Sequence, residues 1–437
     1  MTSKTTTKKL MLMAIPLLIL SSLTANRVDA QYLLNNDSAF KAGAPNSGRI
    51  WGYAFGDLAY KGHADAMSRG GSNQYTGIPE SRNSFQFRRI YLGYDYNISK
   101  KFSAELLLAA EDNFPAGNPP SATSASGDEL LNNKLSFYIK LMNIRVKSIW
   151  KGTDLVVGQV ATPAFPMMSE KIWNYRSIER TITDIRRTPS YDLGAALQGV
   201  FDPATKNFGY DLMVGNGSSA KPEGDNFKWL YGDVYAYFAD KKIVLDLYAD
   251  YERLNWTPSW HHSRQMVKGF IAYNSAATAK GTDPGKGFTI GVEAYVNNLK
   301  NDNFATKIAG GVDTLSNHAT GVSVFMHGDI VPGKLRFFAR VDAYNPNNKV
   351  DNSVYSAYKG NLGNYNDNTY NGTTATGDQT YKQVFATAGL DFTPAKNVHF
   401  MPNFWYNSYK TQLTGSGAAA NDHDLVYRIT FYYVFGK

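Results

Sequence analysis

The chain is 437 residues long, with 38 Gly, 29 Tyr, 24 Phe and 7 Trp, no cysteine, and a formal net charge of +8. The missing cysteine excludes a disulfide framework, a thiolate metal site and a lipid anchor through an N-terminal cysteine. The charge is too mild over this length to argue for nucleic acid, and the mean hydropathy of −0.36 matches that of water-soluble proteins.

The first predicted element is a targeting segment. "MTSKTTTKK" is basic, "LMLMAIPLLILSSL" is apolar but short of the ~20 residues of a membrane span, and "VDA" precedes Gln31. This pattern predicts a secretory signal peptide at 1–30, cleaved after Ala30, and a single mature domain at 31–437. After Ala30 there is no uninterrupted apolar run of about 18 residues, so two classes remain. One is a secreted all-β protein; the other is a transmembrane β-barrel whose lipid face is carried by every second residue.

From there the chain reads as strands. Sixteen are predicted, centred near residues 54, 90, 107, 139, 157, 195, 211, 234, 247, 270, 292, 324, 339, 387, 403 and 430. The count rises to eighteen if two more lie within 297–320. The alternation is plain in "KIVLDLYADYE", where Ile243, Leu245 and Leu247 oppose Asp246, Tyr248 and Asp250, and in the final "LVYRITFYYVFGK". Connections alternate in length. Short ones stand at 97–101, 150–154, 202–206, 239–242, 329–334 and 393–397; long ones stand at 112–133, 162–188, 215–228, 253–265, 297–319, 345–380 and 410–423. Short turns at one end and long loops at the other predict an all-β, antiparallel transmembrane barrel. The connection at 275–286 breaks the pattern, falling on the short side yet running to a dozen residues.

Little in the chain suggests chemistry. Of the histidines 63, 261, 262, 318, 327, 399 and 423, only His261 and His262 are close, and neighbours in a strand face opposite ways. There is no Gly-x-Ser-x-Gly elbow, phosphate loop or dinucleotide fingerprint. "EDN" at 111 and "NDHD" at 421 read as solvated loop groups, where ion or lipopolysaccharide contact is conceivable. Neither an enzyme nor a cofactor is expected, and a barrel of this size leaves an aqueous lumen unless something fills it.

The run "LVVGQVATPAFPMMSEKIWNYRSIERTITDIRRTPSYDLGAALQG" resembles the corresponding region of phosphate-selective porins O and P and their relatives. The shared features are a strand ending in Gly158 and Gln159, a turn at Pro163, an "IER" element (Ile178, Glu179, Arg180), then Arg187 before Asp192, Leu193 and Gly194. "FRRIYLGYDY", "FFARVDAYNP" and "TPAKNVHFMPNFWYNSY" are looser echoes. The resemblance implies a sixteen-stranded, usually trimeric porin of the bacterial outer membrane, whose third external loop folds inward as the constriction.

Strand counting independently makes 162–188 the third long loop. As a helix, it would gather Arg176, Arg180 and Arg187 within about 40° and set Tyr175, Ile178, Ile182 and Ile185 within about 80° on the other side. The apolar stripe could then lie on the barrel wall while the guanidinium groups attract anions. Five basic residues (Lys171, Arg176, Arg180, Arg186, Arg187) face three acids (Glu170, Glu179, Asp184), so the competing reading is that these arginines only pair and hold the loop. On the wall, Arg89, Arg336 and Arg340 are expected to line the pore together with Asp246, Asp250, Glu293, Glu252 and Glu105. That mixture departs from the ladder of lysine and arginine expected of a phosphate-specific pore. The function expected is passive diffusion of small hydrophilic solutes, weakly anion-selective, in contact with outer-membrane lipid and lipopolysaccharide. The alternatives are a non-conducting binding or adhesion barrel and an outer-membrane hydrolase.

Overall fold

A computed structural model describes residues 37–69, 75, 78–111, 136–186, 189–224, 226–257, 260–360, 380–414 and 420–436. The segment read as a signal peptide, 1–30, lies outside them. A short helix α1 (Asp37–Lys41) precedes the first strand. The strands are β1 (Ser47–His63), β2 (Asn83–Asn97), β3 (Phe102–Glu111), β4 (Tyr138–Trp150), β5 (Thr153–Ala161), β6 (Tyr191–Val200), β7 (Phe208–Gly215) and β8 (Trp229–Phe238). They continue as β9 (Ile243–Thr257), β10 (Trp260–Asn274), β11 (Phe288–Lys307), β12 (Val312–Val331), β13 (Leu335–Asn345), β14 (Tyr355–Gly360), β15 (Lys382–Ala395), β16 (Val398–Lys410) and β17 (Asp422–Phe435). Helices α2 (Ser169–Trp173) and α3 (Ile182–Arg186) both fall between β5 and β6.

Sixteen strands pair antiparallel in chain order, and β17 pairs back onto β1 from Gly52↔Phe435 to His63↔Leu425, so the sheet closes. Closure leaves no unpaired wall edge. Each of the sixteen predicted centres falls in one wall strand. The seventeenth strand, β14, is not in the wall: β13 pairs directly with β15, while β14 adds to the far end of β11 from Asn303↔Gly360 to Lys307↔Tyr355.

Two predicted loops are corrected. Residues 253–265 and 297–319 belong mostly to strands, because β9 to β12 run on far past the alternating apolar segment. Paired hairpin strands satisfy their own backbone groups and need no lipid-facing apolar residues there, so the extension carries no hydrophobic alternation. The stretch 297–320 therefore lengthens two strands and adds none.

The wall is inverted relative to a water-soluble core. On β9, Leu245 and Leu247 are exposed at 39% and 62%, whereas Asp246 and Tyr248 between and beside them are buried at 1%. On β17, Tyr427 and Ile429 point out while Arg428 and Thr430 point in. An apolar exterior around a polar interior is the pattern of a barrel wall facing lipid. Among the described residues, no helix is long and apolar enough to cross a membrane.

The unusual connection after β10 is tied across the turn end of the barrel. The Asn274 amide donates to Asp283 O at 3.1 Å, and Arg336 donates to Gly285 O at 2.6 Å and Pro284 O at 3.2 Å. Its length serves those contacts.

Candidate pore constriction

The segment between β5 and β6 leaves the wall through a narrow neck. Thr162 donates from its backbone to Ser190 O at 3.1 Å and from its hydroxyl to Pro189 O at 2.8 Å, joining the two ends. Gly158 and Gly194 are register partners just below the neck. Gly158 has φ +127°, and a Cβ there would lie 2.3 Å from Met142 O, so a side chain is refused on both counts. Asp192 is fully buried and accepts from Gly217 N at 2.7 Å, Tyr231 OH at 2.9 Å and Leu193 N at 3.0 Å. The Gln159 carbonyl accepts from the Asn143 amide at 3.2 Å. These motif residues build the root of the loop and do not face its charged side.

The expected continuous helix is corrected to two single-turn pieces. Asn174 adopts the left-handed conformation (φ +59°) and ends α2, with its N–H on Glu170 O at 3.0 Å. A turn through Ile178 and Glu179 follows, both N–H groups donating to Tyr175 O, and α3 starts at Ile182. The β-branched "TIT" disfavours a longer helix. With the helix broken, the angular sector assigned to Arg176, Arg180 and Arg187 no longer holds. Arg187 and the side chain of Arg186 lie outside the described residues.

The apolar stripe is packed against the inner wall. Tyr175, Ile178, Ile182 and Ile185 are all buried. The Tyr175 ring packs tilted against Phe338 with centroids 4.7 Å apart, and Trp173 against Phe325 at 5.2 Å. Ile182 shares a cluster with Phe165, Met266 and Tyr295.

A loop inside a barrel strands its own carbonyl groups, and these need donors. The wall supplies them. Lys268 donates to Ala164 O at 2.6 Å, His327 Nε2 to Ile172 O at 3.0 Å, Arg428 to Ile178 O at 2.7 Å and Arg340 to Arg180 O at 2.6 Å, while Arg88 donates to Ser177 O. The cations are balanced by wall carboxylates: Lys268 by Asp246 at 2.9 Å, Arg340 by Asp342 at 2.5 Å, and Arg88 and Arg428 by Asp57. The Trp405 indole holds Glu179 Oε2 at 2.8 Å, and Glu293 accepts from Thr183 N at 3.2 Å. Arg336 meets Tyr175 OH at 3.4 Å and pairs with Asp329.

This corrects the wall assignment. Arg336, Arg340, Asp246 and Glu293 are on the inner face but lie beneath the loop or in ion pairs. Asp250 is likewise covered, accepting from Tyr248 OH at 2.6 Å and Met266 N at 3.0 Å. Glu252 is buried beside Arg264, and Glu105 is half-buried against the Asn143 amide.

The other side of the loop is charged, part-buried at Glu170, Arg176 and Arg180 and buried at Asp184. Arg176 reaches Glu170 at 3.2 Å and Asp184 at 2.9 Å, and Arg180 stands 3.9 Å from both Glu179 and Asp184. Lys171 is exposed. Within electrostatic reach of Arg176 and Glu170 are Arg89, Glu111 and Lys140 of β2, β3 and β4. Glu111 pairs with both Arg89 and Lys140. Lys140 sits at a register shift, where Leu107 pairs with Leu141 and Leu108 with Ile139, a bulge that breaks the alternation of β4.

Arg88 was missed by sequence reasoning, which chose Arg89 alone. Both point inward because the β1–β2 register slips, Phe55 pairing with Arg89 and Gly56 with Phe87. Two consecutive arginines in a membrane strand were the available signal, since strict alternation would put one of them in lipid.

No protein family model matches the chain, and no curated protein does. Solved structures do. The outer membrane channel DcaP of Acinetobacter baumannii superposes with TM-score 0.56 at 12% identity, over 89% of this chain and 97% of that one. OmpF of Salmonella typhi matches at TM-score 0.50 and 9% identity, over 88% and 97% of the two chains. OprB of Pseudomonas putida matches at 0.50 and 11%, over 88% and 93%. The chain has the sixteen-stranded antiparallel fold of these outer-membrane barrels. At these identities the likeness is one of fold, and the porin fold is common to channels of different solutes. The phosphate-selective family is not singled out among them.

Proposed function

We propose that this chain is a diffusion channel of the bacterial outer membrane, passing small hydrophilic solutes with a weak preference for anions. The observation that carries the reading is the inward loop: wall donors fix its carbonyls and wall rings bury its apolar side, leaving part-buried Glu170, Arg176 and Arg180 and buried Asp184 in electrostatic contact with buried Arg89, Glu111 and Lys140. With Glu179, 3.9 Å from Arg180, four cations meet four carboxylates and balance. Lys171 adds to the positive side.

Strong phosphate specificity finds little support. The arginines are internally paired, and Asp211, Asp233 and Asp246 crowd adjacent strands where Lys268 pairs with Asp246. The pore reads charge and size through a mixed field. Export by a signal peptide at 1–30 and assembly as a homotrimer belong to the same proposal, the trimer on resemblance alone.

Purified, folded protein in planar bilayers should give stepwise conductance, and a salt gradient a reversal potential of modest anion preference. Arg176→Ala with Arg180→Ala should move that potential toward cations. Absence of steps would refute the channel and favour a binding barrel, and an unmoved potential would remove the loop arginines from the selectivity filter.

A further inference from the structure

The closing seam of the barrel brings together groups that lie 359 positions apart in the chain. At the loop end, His63 closes β1, and Asp422 and His423 open β17. His63 Nε2 is 2.8 Å from Asp422 Oδ1, its Nδ1 is 3.1 Å from Glu80 Oε2, and His423 Nδ1 is 3.7 Å from the same Asp422 oxygen. The two imidazoles stack with centroids 4.2 Å apart. One donor atom from each of His63, Asp422 and His423 can be chosen so that all lie within 4.8 Å of one another.

We infer that His63, Asp422 and His423, with Glu80 beside them, form a binding site for a divalent transition-metal ion of the zinc type. Two imidazoles and a carboxylate are a donor set that borderline cations favour. Donors ~2.0–2.2 Å from a tetrahedral zinc ion lie about 3.3–3.6 Å apart, so side-chain rotations that draw these atoms in by about 1 Å would close the site. The charge also fits. With neutral imidazoles, Glu80 and Asp422 contribute two negative charges, and among the described residues their ion pairs are with these imidazoles and with no lysine or arginine. Asp424 and Asp65 nearby differ, being paired with Lys61 and Arg69. Asp422 is already oriented, since Oδ2 accepts Ala66 N at 2.9 Å and Oδ1 accepts His423 N at 2.8 Å. Both histidines are about one-third exposed, open to ions from solvent.

A bound ion would clasp the start of the β1–β2 connection to β17. That connection turns inward at Tyr75, which is buried against Trp405 and bonds to Asp57, so the ion would stiffen one side of the mouth.

Chelator-stripped protein in detergent, titrated with Zn²⁺ by calorimetry, should show one saturable site per chain, and Co²⁺ should give a visible ligand-field spectrum. In the double variant His63→Gln, His423→Gln the affinity should fall by more than the roughly 10–100-fold that loss of a supporting group costs. His318→Ala, remote from the seam, should bind as wild type. Heat-modified gel mobility checks that each variant is folded. No saturable Zn²⁺ binding, undiminished binding in the double variant, or equal loss in His318→Ala would overturn the site.

Discussion

Arg340 sits between two acceptors, a two-pronged pair with Asp342 on its own strand and the Arg180 carbonyl of the inward loop. Removing it leaves a buried carboxylate and a buried carbonyl without their donor. Breaking such a pair costs about 3–5 kcal/mol, so Arg340→Ala should lower the unfolding free energy from urea titration by that much and make single-channel current noisier as the loop loosens. Arg340→Lys should recover part of the stability but not the two-pronged geometry. The inward direction of Arg340 was legible from alternation in "KLRFFARVDAY". Its employment under the loop was not, because that depends on a segment 160 residues away. His63 and His423 make the same point: each looked solitary, and the seam made them neighbours.

At the scale of elements, a turn shows how local sequence suffices. The short connection between β6 and β7 is built on Asp202, whose carboxylate accepts from the Thr205 hydroxyl and from the N–H groups of Asn207 and Phe208, both at 2.8 Å. These bonds, the Thr205 hydroxyl foremost, lower its pKa from 3.8 to about 2. Folding therefore favours the ionised form: the contribution is complete above the unfolded pKa and is lost as pH falls through about 2. The thermal midpoint of the wild type should drop more steeply than that of Asp202→Asn on going from pH 5 to pH 2. The inward loop is the opposite case. Its helical spacing was readable, yet Asn174 in the left-handed region and the wall contacts of Tyr175 and Ile178 break it into two turns. Periodicity records which residues are buried; the surface they are buried against decides whether one helix can reach it.

The whole molecule is held by a sheet with no wall edge and by an apolar exterior. Leu247, 62% exposed on the outer face of β9, is suited to lipid. Leu247→Arg should therefore destabilise the barrel in bilayers by up to about 2–4 kcal/mol, with the largest value for a residue near the membrane midplane. Equilibrium unfolding in liposomes measures it, and an effect near zero would place this position outside the apolar band.

Sequence alone indicated sixteen wall strands with eighteen left open, the inside and outside of the regularly alternating segments, and the identity of the third long loop, because side-chain alternation and connection length are local consequences of backbone geometry. Tertiary structure alone decided which cations clamp the loop and which remain on its charged face. Arg340 read as an inward charge and Arg88 did not, and for both, as for Lys268 and Arg428, the carbonyl partner comes from a distant residue. It also decided the pairing of His63 with His423, since only closure of the barrel brings the first strand beside the last.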